Sequence, residues 1–474
     1  MLSYFSNCLA SGMPHVKAYA VGHISRIVGL SLEAVGLNLA LGARCQVMAT
    51  ETLSFEVEVV GFDETITYLM PLVPIRSLKP GALVKPISSS AEVPAGEALL
   101  GRIIDGSGSP IDGKGPINNV EHISYHPQPI NPLAREPISE VLDVGVRSIN
   151  ASLSIGCGQR VGLFAGSGVG KSVLLGMMSR FTEAEVVIVA LVGERGKEVR
   201  EFVESNLSGE SLAKAIIVAA PADETPVMRL RSGMYATRLA EYFRDQGKRT
   251  LLLFDSLTRY AQAQREIGLA TGEPPATKGY PPSVFARLPQ LVERAGNGSG
   301  NGGSVTAVYT VLVEGDDLND PIADSARSIL DGHIVLSREI AEQAIYPAID
   351  IQASVSRSMN AVIEPSHQRL AMKVKQLYAR YQQSRDLINV GAYVAGADPL
   401  TDMAVNCQPA IEAFLSQSQT DKISFDQSVR ALEAILAGPL VAENDEGLQA
   451  SNPTSSIVND GFTTAVNASG ASNA

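Results

Sequence analysis

The chain has 474 residues, 45% of them apolar, and its 50 acidic side chains outnumber 38 basic ones for a net charge of −12. That length holds two or three domains with sizeable cores. The acidic balance argues against a general electrostatic role on nucleic acid or a membrane surface, because phosphate contacts need clustered Lys and Arg.

Residues 1–15 form a short N-terminal segment without the charged start and long apolar run of a signal peptide. Residues 16–85 are rich in short β-type runs: Ala18–Val21, Phe55–Val60 and, after the turn-like Gly61–Glu64, Ile66–Met70. That spacing predicts a small antiparallel barrel or sandwich. Residues 86–136 read as a connector whose Asp105-Gly106-Ser107-Gly108 and Asp112-Gly113-Lys114-Gly115 predict loops. From 137 to 358 apolar runs recur at Val161–Ala165, Val186–Val192, Ala215–Ala219, Thr250–Phe254, Ser304–Leu312 and His333–Leu336. Between several lie helical patterns, such as Tyr235, Leu239, Tyr242 and Phe243 at i, i+4, i+7 and i+8. Fully apolar strands alternating with helices predict an α/β fold, a parallel sheet covered on both faces. Residues 359–438 turn helical, at His367–Leu387, Pro409–Leu415 and Phe425–Leu436. Beyond Gly438, residues 439–474 carry no Lys or Arg and predict a disordered tail.

The four cysteines, Cys8, Cys45, Cys157 and Cys407, are widely spaced and match no metal-ligand pattern, so reduced thiols are expected. No uninterrupted apolar run is long enough for a spanning helix. His333, beside Ile334-Val335-Leu336, reads as a packed strand residue.

The densest chemical signal is Leu163-Phe164-Ala165-Gly166-Ser167-Gly168-Val169-Gly170-Lys171-Ser172. An apolar strand feeds a glycine-rich loop, and Val173 opens an apolar helix. Glycines let consecutive N–H groups curl toward phosphate oxygens, and the helix N-terminus adds its dipole. Lys171 would reach the β- and γ-phosphates and the Ser172 hydroxyl would ligate Mg²⁺. The strict pattern begins with Gly, where this chain has Ala165. Asp255 ends the apolar strand Thr250–Phe254, the place from which a carboxylate holds the water shell of a Mg²⁺ ion. Glu194 follows Val192-Gly193 at another strand end. It is the base that polarises the attacking water, a solvated carboxylate on a loop, or a carboxylate paired with Arg195. By chain arithmetic alone Arg357 is one of 38 basic residues.

Together these pieces resemble one family. Gly193-Glu194-Arg195-Gly196-Lys197-Glu198-Val199 is similar to the glutamate loop of rotary-type ATPases, and Asp255-Ser256-Leu257-Thr258-Arg259-Tyr260-Ala261-Gln262-Ala263-Gln264-Arg265-Glu266 to their Walker B region. The runs Gly272–Phe285 and Glu314–Asp324 narrow the resemblance to type III secretion ATPases. Phe164–Met178, Tyr346–Ile351 and Asn389–Tyr393 are most like the flagellar export ATPases, in which Ala165 is an ordinary start to the loop. The resemblance implies a β-barrel domain, a RecA-like P-loop ATPase core and an α-helical domain, assembled as a homohexamer with ATP bound between subunits. It implies Glu194 as catalytic base, with Lys171, Arg195 and Arg259 in the active site and Arg357 as a finger into the neighbouring site. Ala165, Gly166, Ser167, Gly168, Val169, Gly170, Lys171, Ser172 and Val173 would cradle the nucleotide, Tyr346 would pack on adenine, and Ser172 and Asp255 would serve Mg²⁺. Implied partners are a regulator or stator protein, a central stalk protein, the membrane protein of the export gate and chaperone–substrate complexes. No nucleic acid is among them. The enzyme would work in the cytoplasm, peripherally associated with the inner membrane through the export apparatus. Leu2, Tyr4, Phe5 and Leu9 make one short apolar face on which the regulator could dock. Three alternatives remain: a virulence injectisome ATPase, a rotary ATP synthase subunit and a RecA-class hexameric RNA helicase.

Overall fold

A computed structural model describes residues 21–446 apart from 51, 76, 89–91, 208, 301, 314, 316, 318 and 319. Six strands come first: β1 (Gly22–Val28), β2 (Ser31–Val35), β3 (Arg44–Met48), β4 (Ser54–Asp63), β5 (Ile66–Pro71) and β6 (Leu83–Ser88). They close into a barrel in the order β1-β2-β5-β4-β3-β6. Alternation explains it: Phe55, Val57 and Val59 of β4 point inward with Cys45, Val47, Leu69 and Val84. Each such burial contributes about 1.5–3 kcal/mol. Of the expected run Ala18–Val21, Val21 precedes β1 and the rest lies outside the described residues, as do 1–15. The turn expected at Gly61–Glu64 falls later. A bulge between Val59 and Gly61 lets β4 continue to Asp63, which pairs with Ile66.

The connector is more ordered than its Gly and Asp content predicts. β7 (Glu92–Ala95) pairs with β9 (Glu121–Ser124), and β8 (Ile103–Ile104) joins the edge of the main sheet. Asp112 fastens the intervening loop by accepting from Arg102 Nε at 2.7 Å and Nη2 at 3.0 Å. Burial of Ile104 and a two-point charge-assisted clamp override the turn propensity.

The main sheet adds β10 (Arg160–Ala165), β11 (Val186–Val192), β12 (Ala215–Ala220), β13 (Arg249–Asp255), β14 (Gly296–Asn297), β15 (Ser304–Leu312), β16 (Gly332–Leu336) and β17 (Ile349–Ser356). Its order is β17-β16-β10-β15-β13-β11-β12-β8, parallel from β16 to β8. Period two in β11 divides two cores. Val186, Ile188, Ala190 and Val192 pack toward the helices Pro226–Asp245 and Leu257–Ala270, with Tyr235, Leu239, Tyr242 and Phe243. Val187, Val189 and Leu191 pack toward Lys171–Phe181 and the C-terminal helices. Parallel strands put all their carboxyl ends on one edge, so the turns after β10, β11 and β13 meet there. His333 is a β16 residue packed edge-on against Phe164.

The C-terminal helices are Pro365–Asn389, Pro399–Leu415 and Phe425–Glu446. The second starts ten residues before the expected Pro409. Asp398 caps it through Leu400 N and Thr401 N with Pro399 in its first turn, while Pro409 sits inside. The third runs to Glu446, past residue 438, the expected end of the helical region. Leu440, Ala442 and Glu443 favour a helix, whereas Gly438-Pro439 before them reads as a stop in the sequence. Residues 447–474 lie outside the described residues.

Candidate active site

The loop after β10 turns through Gly168 (φ 79°) and Gly170 (φ 91°), left-handed conformations that favour glycine. Gly170 caps the helix Lys171–Phe181 without a side-chain hydrogen bond to its first turn, which leaves those N–H groups for an anion. Gly166, Ser167, Gly168, Gly170, Lys171, Ser172 and Val173 line a cavity of about 790 Å³. Ala165 and Val169 do not. Both are buried, and the Ala165 carbonyl accepts from Val313 N at 3.1 Å, so they anchor the loop from behind.

Lys171 Nζ lies 2.6 Å from Asp255 Oδ1 and 3.2 Å from Glu194 Oε1. The three side chains are only 12%, 4% and 9% exposed. Burial works against the Lys171 charge, but the Asp255 and Glu194 carboxylates outweigh it and hold its pKa above the usual lysine value. Burial pushes Asp255 up, opposed by the Lys171 ammonium and by the Thr310 hydroxyl, which donates to Oδ1 at 2.6 Å. Asp255 stands behind Lys171, off the cavity wall.

Two buried carboxylates facing one ammonium leave a negative excess, which is costly in a low-dielectric site. A hard cation with oxygen ligands, such as Mg²⁺, would offset it, and the Ser172 hydroxyl is on the same cavity. Among the described residues no cluster of three His, Cys, Asp or Glu could hold a metal alone. The donor set therefore fits an ion that brings water and phosphate oxygens with it.

Glu194 follows Gly193, whose φ is 72° and whose Cβ, were it present, would stand 2.9 Å from Arg259 Cβ. Glycine is the residue that fits that turn. The Glu194 carbonyl accepts from Ala222 N at 2.9 Å, which pins the loop. The carboxylate meets Lys171, whereas Arg195 is exposed and lies 3.9 Å from Glu198. Arg259 lies in the first turn of the helix Leu257–Ala270, and its N–H donates to the capping Ser256 Oγ. Its Nη1 donates to Gln262 Oε1 at 3.0 Å and its buried Nε has no hydrogen-bond partner, an unspent donor beside the cavity.

A family model for the nucleotide-binding domain of the ATP synthase alpha/beta family matches residues 145–356. A second, for the C-terminal domain of the type III secretion ATPase EscN, matches 363–434. The chain is 57% identical over 420 residues to the flagellum-specific ATP synthase of Pseudomonas aeruginosa, covering 88% of this chain and 93% of that one. It belongs to the flagellum-specific ATP synthase family. The Salmonella typhimurium member is 54% identical over 433 residues, covering 89% of this chain and 94% of its own. Among solved structures, the assembled ATPase EscN of the enteropathogenic E. coli type III secretion system superposes with a TM-score of 0.83 at 42% identity, over 88% of this chain and all of that one. EscN in complex with its central stalk EscO superposes with a TM-score of 0.81 at 41% identity, again over 88% and 100%.

Two expected site residues of this ATPase family member stand apart from the cavity. Arg357 follows β17, exposed, its N–H donating to the Asp331 carbonyl at 3.0 Å. Tyr346 is 46% exposed. Its ring lies 3.7 Å from where a Cβ on Gly170 would be, and its carbonyl accepts from Gln417 N at 2.8 Å. The cavity wall also includes Gln262, Arg265, Lys278, Tyr280 and Arg338, which sequence reasoning did not single out. Gln262 and Arg265 stand three and six residues after Arg259 and were findable from helical periodicity. Lys278 and Tyr280 reach the wall through a loop in which Lys278 takes φ 48°, and the Arg265 guanidinium sits 5.1 Å from the Tyr280 ring centre. No local pattern predicts that.

Proposed function

We propose that this protein is the ATPase that energises type III export of flagellar components, working at the cytoplasmic face of the export gate. The observation that carries the chemistry is the Lys171 ammonium held between Glu194 and Asp255 at a glycine-rich helix N-terminus. The N–H groups of Gly166–Ser172 hold the phosphates and Lys171 swings from the carboxylates to the β/γ oxygens. Glu194, released from Lys171, accepts a proton from the attacking water. Arg259 brings its free Nε toward the charge that develops on the γ-phosphoryl group, with Arg195 at the cavity mouth. Mg²⁺, when bound, neutralises phosphate charge, and Ser172 and Asp255 are the residues that would serve it.

Arg357 is assigned as the finger into the neighbouring subunit's site, in a homohexamer, and Tyr346 as the aromatic against adenine. EscN's assembly and its stalk complex support a ring around a central stalk here. A regulator, the membrane export gate and chaperone–substrate complexes complete the proposed partner set, with the ring at the inner membrane. Among the described residues no helix is long and apolar enough to cross a membrane. Flagellar rather than injectisome export follows from 57% identity to a flagellum-specific member against 42% to EscN.

Glu194→Gln tests the assignment. It is expected to bind ATP and to turn over about 10²–10⁴-fold more slowly. Near wild-type turnover would remove Glu194 as the base.

A further inference from the structure

The strand that separates the P-loop strand from the Asp255 strand carries a polar side chain at the depth of the site. β15 lies between β10 and β13. Leu163 pairs with Thr310 across β10 and β15, and Phe254 with Tyr309 across β13 and β15. Asp255 and Thr310 are thus the next rank of neighbours on parallel strands, with side chains on one face. Thr310 is fully buried. Its hydroxyl donates to Asp255 Oδ1 at 2.6 Å, and the same oxygen accepts from Lys171 Nζ at 2.6 Å.

These contacts have different futures. A triphosphate draws Lys171 away toward phosphate oxygens. Thr310 cannot follow, because it is built into the middle of the sheet. Once Lys171 leaves, Thr310 is the remaining side-chain donor to Asp255 among the described residues. The terminal torsion of an aspartate is broad, so a carboxylate held by nothing would sample several orientations. A donor fixed on one oxygen settles which oxygen faces forward.

We propose that Thr310 is a positioning residue: its hydroxyl clips Asp255 Oδ1, so that the carboxylate stays aimed at the Mg²⁺ site when Lys171 transfers to the phosphates. The proposal rests on Asp255 serving the Mg²⁺–triphosphate site as assigned above. The methyl group of Thr310 packs in the sheet and the hydroxyl does the aiming, which separates the two contributions experimentally.

The test uses the full chain with Thr310→Val, which keeps the shape and loses the donor, and Thr310→Ser, which keeps the donor. A fluorescent ADP analogue is titrated with and without Mg²⁺, alongside Mg²⁺ activation of ATPase turnover and thermal unfolding. Thr310→Val is expected to weaken the Mg²⁺-dependent part of ADP binding and to raise the half-activating Mg²⁺ concentration by about 10- to 100-fold, the worth of a hydrogen bond to a charged group. Metal-free ADP binding and the melting temperature should stay near wild type, and Thr310→Ser should restore Mg²⁺ dependence. If Val and Ser behave alike, the hydroxyl has no such role and the proposal fails. Should Thr310→Val not fold, Thr310→Ala is compared with Thr310→Ser by the same readouts. Asp255→Asn separates the two levels. If it keeps the full Mg²⁺ enhancement, the assignment of Asp255 is wrong. If it loses the enhancement while Thr310→Val matches wild type, only the role of Thr310 is wrong. On the Asp255→Asn background Thr310→Val should add nothing.

Discussion

The P-loop cluster and the end of β17, the two parts of the proposed nucleotide site, are built in opposite ways. On one, Lys171, Glu194 and Asp255 are buried and bonded to one another at the carboxyl ends of three parallel strands. On the other, Arg357 and Tyr346 are exposed, at the end of β17 and in the turn before it. The first flank is electrostatically finished within one chain except for its negative excess. The second presents a cation and an aromatic ring to whatever lies outside. That difference suits the proposed site shared between subunits, in which chemistry is held rigidly by one chain and a charge is delivered by the next only after assembly.

The comparison can be broken from either side. Arg357→Ala should lower turnover about 10³–10⁵-fold while nucleotide still binds, as expected of an arginine finger. Stopped-flow phosphate release and equilibrium ADP binding measured on the same sample would show it, and equal losses in both would move Arg357 into the binding site of its own chain. Lys171→Ala attacks the closed flank. It leaves two buried carboxylates without a counter-ion, a type of change that costs about 3–5 kcal/mol. Nucleotide binding should vanish from calorimetric titrations, and retained ATP affinity would contradict the phosphate-cradle assignment.

The smallest effect concerns the helical layer that supports the open flank through Gln417 and Tyr346. Burial holds the His367 pKa below its usual value, with Nε2 2.7 Å from the Ala151 carbonyl. A depressed folded-state pKa gives stability that is present above the unfolded value of about 6.5 and is lost as pH falls toward the folded one. The melting temperature should therefore decline between pH 7 and pH 5. His367→Gln should flatten part of that slope, and an unchanged slope would show that His367 does not couple to unfolding.

How much is legible in the sequence follows the same division. The P-loop, Glu194 and Asp255 stand at the ends of apolar runs, and parallel strands bring such ends together, so local pattern and one topological rule suffice. Arg357 and Tyr346 have no local signature and were reached through resemblance alone. Thr310 is invisible in a run of apolar residues, because its meaning comes from the register of two neighbouring strands. The connector misleads for a related reason: Asp112 looks like a turn residue until Arg102 is found folded back onto it. Pro409 misleads as a helix start because a proline inside a helix and one at its first turn look the same in the chain.

The most direct measurement is ATPase activity in mixtures of two inactive proteins, Arg357→Ala and Glu194→Gln. A shared site predicts that mixed rings regain activity, with a maximum at intermediate ratios, because some interfaces then pair an intact Glu194 with an intact Arg357. No recovery at any ratio, in rings shown to exchange subunits, would contradict a site completed by the neighbour.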